Sequence, residues 1–487
     1  MMTKTTLLTT IVLAMLMAFA GNSFGAEGEG PPLILLAQTE GAAAETAAQR
    51  TAALRSGTLG EDEEATAADQ AVVQEGDEDE EDLQPFEETF RYLKAKYGTE
   101  TMTDDWFGFG TKLQDEGILI SLAHTQIYQI NLQGGLATHR HSGRWTGNYD
   151  LYTELDLEKI LGLRDGLIYM LVEGSWSAGL DPSSIGSVVG NVNANAFRED
   201  EVIYVSEFWY EQGFFDNRYR FRVGKMDLTS GYECHNCSVA FDQNAYAFDE
   251  TSQFMNAAFV NNPTIPFPEN GLGVSAYAEP IERFFVAAAV VDAQADVREM
   301  GTNTAFHDED YFFAIFETGI APVVDSPNGK MPGAYRVGFW YDPQDKPKLN
   351  GQGVKRDDVG FYLSFDQLVF KENVYAKDSQ GLGMFARYGF AHSDVNAIKA
   401  FYSIGAQYQG LIPRRDYDVL GLGYAVGKLD SDSGTNKDHE SIIELYYNAQ
   451  ITPWLNLSPS LQYIFDPGAV HGVSDALVVG IRMQVFF

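Results

Sequence analysis

Hydrophobic and polar residues alternate regularly in the segment Ala476–Phe487. One parity, from Leu477 to Phe487, holds only apolar residues, whereas the other includes Arg482 and Gln484. Because successive side chains of a strand point to opposite faces, the segment predicts a strand with one apolar and one polar face. A tilted strand of about 9–11 residues spans a bilayer. The pattern is typical of the closing strand of an outer-membrane β-barrel, with lipid outside and a polar lumen inside.

Glycine-bounded segments with the same period-two alternation recur from about Trp106 onward. They include residues 151–158, 202–211, 361–366 and 384–389. Their polar faces carry charges that the core of a soluble protein would not tolerate. The length of this region corresponds to about 16–18 strands at porin-like spacing. We therefore predict an all-β fold, a transmembrane antiparallel β-barrel over residues 106–487, with a soluble all-β protein as the alternative.

The first residues carry an export signal. Lys4 precedes an uncharged apolar run, Leu7–Ala20, which is too short to span a membrane as a helix. Small residues that suit a signal peptidase follow the run. We predict a cleaved signal peptide at 1–25 and a location in the bacterial outer membrane.

Residues 26–84 differ in composition from the rest of the chain, with acidic blocks and no aromatic residue. Such a segment cannot bury enough apolar surface to fold, so we predict a disordered periplasmic tether, with cation binding or partner binding as the alternative. In residues 85–105, Phe86, Phe90 and Leu93 recur at helical spacing. They predict a short periplasmic helix that either plugs the barrel mouth or packs on its rim.

Charge and composition narrow the functional classes. The formal net charge of −36 makes nucleic acid a poor partner and would bias a pore against anions. Tyr and Trp at strand ends would form interfacial girdles. In an exported protein the pair Cys234 and Cys237 favours a disulfide, and a metal half-site or redox motif is the alternative. We find no nucleophile elbow, phosphate-binding loop or zinc signature, and we predict neither an enzyme nor a cofactor.

Several stretches resemble the carbohydrate-selective porins of the OprB family. The opening stretch, Trp106–Ile118, is similar to that family's pattern W-x-G-x-R-x-x-L-x-x-x-G-I, but the family's arginine is Gly110 here. The resemblance continues through residues 210–212, 222–227, 254–256, 444–468 and 475–482. It implies a 16-stranded barrel that passes sugars by passive diffusion. The alternatives are a cation-preferring or structural barrel and, further off, a barrel hydrolase.

A sugar channel needs carboxylates and guanidinium groups that replace the water bound to hydroxyls, and aromatic faces that stack on pyranose rings. Strand parity places a row of such residues on one arc of the lumen wall, although a polar wall could equally serve solvation alone. The facing of Lys225 and Asp227 depends on whether Gly224 forms a bulge. The predicted constriction residues are Glu154, Glu173, Glu207, Trp209, Glu211, Arg220, Arg222, Lys225 and Asp227, with no metal site.

The resemblance also implies partners. They are small sugars such as glucose, outer-membrane lipid and lipopolysaccharide, and the barrel-assembly machinery, which would read the terminal Phe487. The oligomeric state is either a monomer or a homotrimer.

Overall fold

The structure is a computed structural model that describes residues 101–137, 142–196, 202–229, 231–232, 245–299, 305, 310–374 and 380–487. The predicted signal peptide and tether, most of the predicted entry segment, and both cysteines lie outside the described residues. Among the residues it describes, no helix is long and apolar enough to cross a membrane.

In the described part of the chain, 16 strands of one antiparallel sheet close into a barrel. Strands β8 and β9 both pair with β10 and count as one interrupted strand, whereas β11 and β12 form a separate hairpin. The predicted fold is confirmed. The strands are β1 (Ile118–Gly135), β2 (Ser142–Asp156), β3 (Gly166–Trp176), β4 (Val202–Phe214), β5 (Tyr219–Met226), β6 (Gly271–Ile281), β7 (Phe284–Asp292), β8 (Phe312–Ile320), β9 (Val323–Ser326), β10 (Gly329–Asp342), β11 (Lys346–Pro347), β12 (Val354–Lys355), β13 (Asp358–Lys371), β14 (Gly381–Ala391), β15 (Ile398–Gln409), β16 (Val419–Leu429), β17 (His439–Thr452), β18 (Leu455–Phe465) and β19 (Ser474–Phe486).

Short helices lie outside the strands. They are α1 (Asp104–Gly108), α2 (Gly110–Asp115), α3 (Leu157–Leu161) and α4 (Ala257–Val260), with a π turn at Asp181–Ile185 and a 3-10 turn at Pro467–Ala469. Asp156 caps α3, because its carboxylate accepts hydrogen bonds from the N–H groups of Glu158 and Lys159. Gly162 ends α3 with φ 76°, a left-handed conformation that favours glycine.

Strand β19 closes the barrel by pairing with β1. Arg482 and Gln484 are buried on the inner face, and Ile481 is exposed on the outer face. The predicted facing of the closing strand is therefore correct. The outer face of the barrel is apolar at its middle, as lipid contact requires, and Trp176 lies on it with its ring over Gly147.

A β-bulge interrupts the alternation in β4. Leu171 pairs with Glu207 whereas its neighbour Val172 pairs with Val205. Ser206, which lies between them, is therefore not paired with any residue of β3 in the sheet. Ahead of the bulge, Tyr204 is 3% exposed and Ile203 is 65% exposed. One extra residue reverses the facing of every residue before it. Ile203 therefore faces outward although it lies four residues before Glu207, which faces inward.

Two of the longer connections fold into the barrel. We call residues 177–196, between β3 and β4, inner loop A, and residues 245–270, between β5 and β6, inner loop B. Their apolar side chains pack with inward side chains of the later strands. Phe254 stacks on Phe259 at 4.6 Å between ring centres and meets Tyr446 of β17 edge-on at 4.8 Å. The inner loops thus fill part of the lumen. A second apolar cluster includes Ile265 and Phe267 of inner loop B together with residues of β2 to β13.

Candidate functional site

Most of the predicted constriction row lies on the inner face of β2 to β5. Trp209 pairs with Tyr169 across β3 and β4, and Glu211 pairs with Arg222 across β4 and β5. Because paired residues of antiparallel strands point to the same face, these side chains meet on one patch of wall. We call the patch formed by Tyr169, Trp209, Glu211, Arg220 and Arg222 the lumen cluster.

Trp209 supports the lumen cluster. The ring of Tyr169 stacks on it at 4.7 Å between ring centres, and the Arg222 guanidinium lies 3.7 Å from its ring centre. The indole is only 4% exposed, so neither face is bare. Stacking between a guanidinium and an aromatic ring is attractive and fixes the cation in place. Trp209 therefore orients Arg222.

The charges of the lumen cluster are partly accessible. Arg222 Nη2 lies 3.2 Å from Glu211 Oε2, and each side chain is 15% exposed. Arg220 lies over the ring of Tyr277, 4.3 Å from its centre. These groups combine a neutralised ion pair with a guanidinium held on an aromatic face, and both can exchange hydrogen bonds with a passing hydroxyl.

Glu207 and Asp227 hold the wall together. Glu207 is buried, and its Oε2 accepts hydrogen bonds from Trp209 Nε1 at 2.9 Å and from the N–H of Asp227 at 3.2 Å. The Asp227 carboxylate accepts hydrogen bonds from the N–H and hydroxyl of Thr229. Both acids thus bind protein groups that start the connection after β5.

Lys225 fastens the β7–β8 connection. The pairing of β4 with β5 runs through Gly224 without a register shift, so Lys225 falls on the opposite parity to Arg222. Its ammonium donates to the carbonyls of Val205 at 2.8 Å, Val297 at 2.5 Å and Glu299 at 2.6 Å. The bulge that the sequence left open at Gly224 is not present.

Glu154 and Glu173 lie farther along the same wall. Glu154 is partly exposed, and Glu173 is buried opposite Asp150 of β2. Asn148 Nδ2 donates to both carboxylate oxygens of Asp150, at 3.0 and 2.9 Å. Glu154 pairs with Tyr169 and so borders the lumen cluster, whereas Glu173 pairs with Asp150 farther along β3. In the part of the chain that is described, no group of three His, Cys, Asp or Glu residues is placed to hold a metal.

Sequence reasoning missed the residues that hold the inner loops. Arg482 of β19 donates to the carbonyls of Glu250 and Gln253, and Arg387 of β14 donates to those of Phe259 and Val260. Charged residues on the inward parity of late strands were the available signal. Their targets are backbone carbonyls of distant loops, which no local pattern marks.

Comparison with known proteins gives the family. The model of the "Carbohydrate-selective porin, OprB family" matches residues 140–487. The chain belongs to this family. It is similar to Porin B of Pseudomonas aeruginosa, with 24% identity over 423 residues that cover 79% of this chain and 91% of Porin B.

Two solved structures of Pseudomonas putida OprB share the fold of this OprB-family porin. The structure at high pH has a TM-score of 0.67 and 22% identity, and the structure at low pH has a TM-score of 0.51 and 20% identity. Each likeness covers 80% of this chain and 99% of the other chain. The porin is therefore an outer-membrane channel and not an enzyme.

Proposed function

We propose that this porin passes neutral sugars, such as glucose, by passive diffusion along the part of the lumen beside β3 to β6. The contact between Glu211 and Arg222, supported by Trp209, is the observation that carries the proposal. A carboxylate and a guanidinium side by side can accept from and donate to neighbouring hydroxyls of one sugar. Because Glu211 and Arg222 neutralise each other, neither cations nor anions gain from this ion pair alone.

Each member of the lumen cluster has a distinct role in this proposal. Glu211 accepts hydrogen bonds from sugar hydroxyls, and Arg222 and Arg220 donate to them. Trp209 and Tyr169 keep Arg222 in register, while Glu207 and Asp227 fix the end of the wall. Binding remains weak because the partners of the sugar are already paired, which is what release from a channel requires.

The acidic composition of the barrel supports a second candidate, a general channel that prefers cations, because residues 101–487 carry a formal net charge of −23. The two candidates differ in what limits passage. A sugar channel discriminates between neutral solutes of equal size, whereas a cation-preferring channel discriminates by charge alone.

Liposome swelling with purified protein separates these candidates. Glucose should enter faster than zwitterionic amino acids of similar size, and R222Q should reduce the difference several-fold, since a hydrogen bond to a charged group contributes about 1.5–3 kcal/mol. The matched control is R164Q, which removes a guanidinium that is 71% exposed and paired with Asp216 outside the lumen. Equal entry of both solutes into wild-type liposomes would refute sugar selectivity.

The other predicted partners belong to the same proposal. Outer-membrane lipid and lipopolysaccharide would surround the apolar outer face, and the barrel-assembly machinery would recognise the end of β19 at Phe487. Monomer and homotrimer both remain predictions for the oligomeric state.

A further inference from the structure

The two inner loops form one unit inside the barrel. The N–H of Ala194 in loop A donates to the carbonyl of Met255 in loop B at 2.7 Å, and the N–H of Ala257 donates back to the carbonyl of Asn191 at 2.9 Å. A Cβ on Gly190 of loop A would lie 2.7 Å from that of Ala258, so the two backbones touch. Whatever positions this unit decides how much of the lumen stays open.

Glu440 of β17 holds inner loop A. Its carboxylate is fully buried and accepts hydrogen bonds from the N–H groups of Val188 and Val189, both at 3.1 Å, and from the Ser187 hydroxyl at 2.5 Å. A fourth donor, the N–H of Gly468, lies at 2.6 Å. A carboxylate offers about four acceptor sites, so loop A uses most of what this group provides.

Glu444 holds inner loop B in the same way, four residues farther along β17 and on the same face. Its oxygens accept hydrogen bonds from the N–H groups of Met255 at 2.8 Å and Asn256 at 2.9 Å, and from the Ser460 hydroxyl at 2.7 Å. Neighbouring Gln462 joins both loops, since its Nε2 donates to the carbonyl of Val192 at 2.8 Å and its Oε1 accepts from Asn256 at 3.0 Å.

Neither carboxylate touches the open lumen, because both side chains are fully buried. A buried group that loses its partner costs about 1–3 kcal/mol, and more when it is charged. Replacing Glu by Gln removes half of the acceptor capacity and turns an N–H₂ donor toward backbone N–H groups. The loop would then leave its place on the wall, while the hydrogen bonds between strands stay intact.

We propose that Glu440 and Glu444 are positioning residues that set the width of the channel by holding the inner loops against β17. The selectivity of the channel then depends on two acids that no solute contacts. The role of these residues in sugar passage rests on the proposed function. The conductance of small ions tests it without any sugar.

Single-channel recordings in potassium chloride compare wild type, E440Q and E444Q. Each variant should raise the conductance by about twofold, because pore diameter limits flow, and should admit larger neutral polymers. The matched control is D438N, which neutralises an acid just before the same strand; that side chain is 80% exposed and pairs with Lys428. Migration on electrophoresis with and without heating verifies that each barrel is folded.

A reversible lock distinguishes positioning from general damage. An ideal Cβ on Gly427 of β16 lies 3.2 Å from the Cβ of Val189 in loop A, near the separation of about 3.5–4.5 Å that a disulfide spans. The pair V189C/G427C, in a chain carrying C234S and C237S, should form a disulfide that returns E440Q to the wild-type conductance. Reduction should restore the wider channel.

The outcomes separate cleanly. Wild-type conductance in a folded E440Q and a folded E444Q would overturn the positioning role and would leave sugar passage untouched. A wide channel that the formed disulfide does not narrow would also overturn it. If wild type showed no sugar selectivity while the variants showed the expected changes in conductance, only the proposed function would be refuted.

Discussion

Asp181 of inner loop A should make the channel sensitive to pH. Its carboxylate is buried and accepts hydrogen bonds from the N–H groups of Ser187 at 2.7 Å and Val192 at 2.9 Å. Burial, aided by the nearby Glu440 carboxylate, raises the pKa of Asp181 from 3.8 to about 7. A loop released into water would return this pKa to its ordinary value.

The sign and size of the effect follow from proton linkage. Between pH 3.8 and about 7 the docked loop binds a proton that the released loop lacks. Docking is therefore strongest below pH 4, weakens as pH rises, and is constant above pH 7. At 1.36 kcal/mol for each pH unit, the loss is about 4 kcal/mol at most. Wild-type conductance should accordingly rise between pH 5 and pH 8.

D181N tests this reasoning because Asn resembles the neutral carboxyl in size and charge. Single-channel conductance of D181N should not change across pH 5–8, because the titrating group is gone, whereas D438N should keep the wild-type dependence. Hydrogen bonding to His439 and the charge of Lys428 lower the pKa of Asp438, so it stays ionised throughout. A dependence that survives in D181N would assign the effect to another group, such as Glu440, and refute the reasoning.

Three further predictions concern stability and covalent structure. R336M removes the guanidinium that lies 2.8 Å from the carboxylate of Asp366, and both side chains are buried. The free energy of unfolding in urea should therefore fall by about 3–5 kcal/mol. R336M/D366L should recover much of this loss, and equal stability of R336M and wild type would contradict the expectation. W209A should lower the free energy of unfolding by about 3–5 kcal/mol. It should also weaken sugar discrimination in liposomes, because Arg222 would no longer stack on the ring. Unchanged discrimination would show that Trp209 does not orient Arg222. Mass spectrometry should find Cys234 and Cys237 alkylated only after reduction, and labelling without reduction would exclude the predicted disulfide.

The sequence predicted the barrel because membrane strands have a simple rule. Lipid requires one apolar face and the lumen tolerates a polar one, so period two is visible in strands such as β19. That rule placed Arg482, Glu207 and Arg222 on the inner side. It failed where the backbone broke the period, at the bulge in β4, which turned Ile203 outward.

The side of the wall on which a residue lies did not reveal what its side chain binds. Glu207, Asp227 and Lys225 were all expected at a constriction, yet they bind protein groups: an indole N–H, a Thr hydroxyl and three carbonyls. Arg482 was expected to face lumen water and instead binds the carbonyls of inner loop B. The physical reason is that a polar side chain satisfies its hydrogen bonds with whatever the fold brings near.

By itself the sequence determined the architecture, the membrane face and the side of the wall on which strand residues lie wherever no bulge interrupts the alternation, because local periodicity encodes these. The tertiary structure alone decided which part of the lumen stays open. That depends on inner loops A and B reaching β17 across about 190 to 250 residues of chain. The two carboxylates on β17 bind mainly backbone N–H groups of the loops, and every sequence has such groups. A residue pattern therefore cannot predict these contacts.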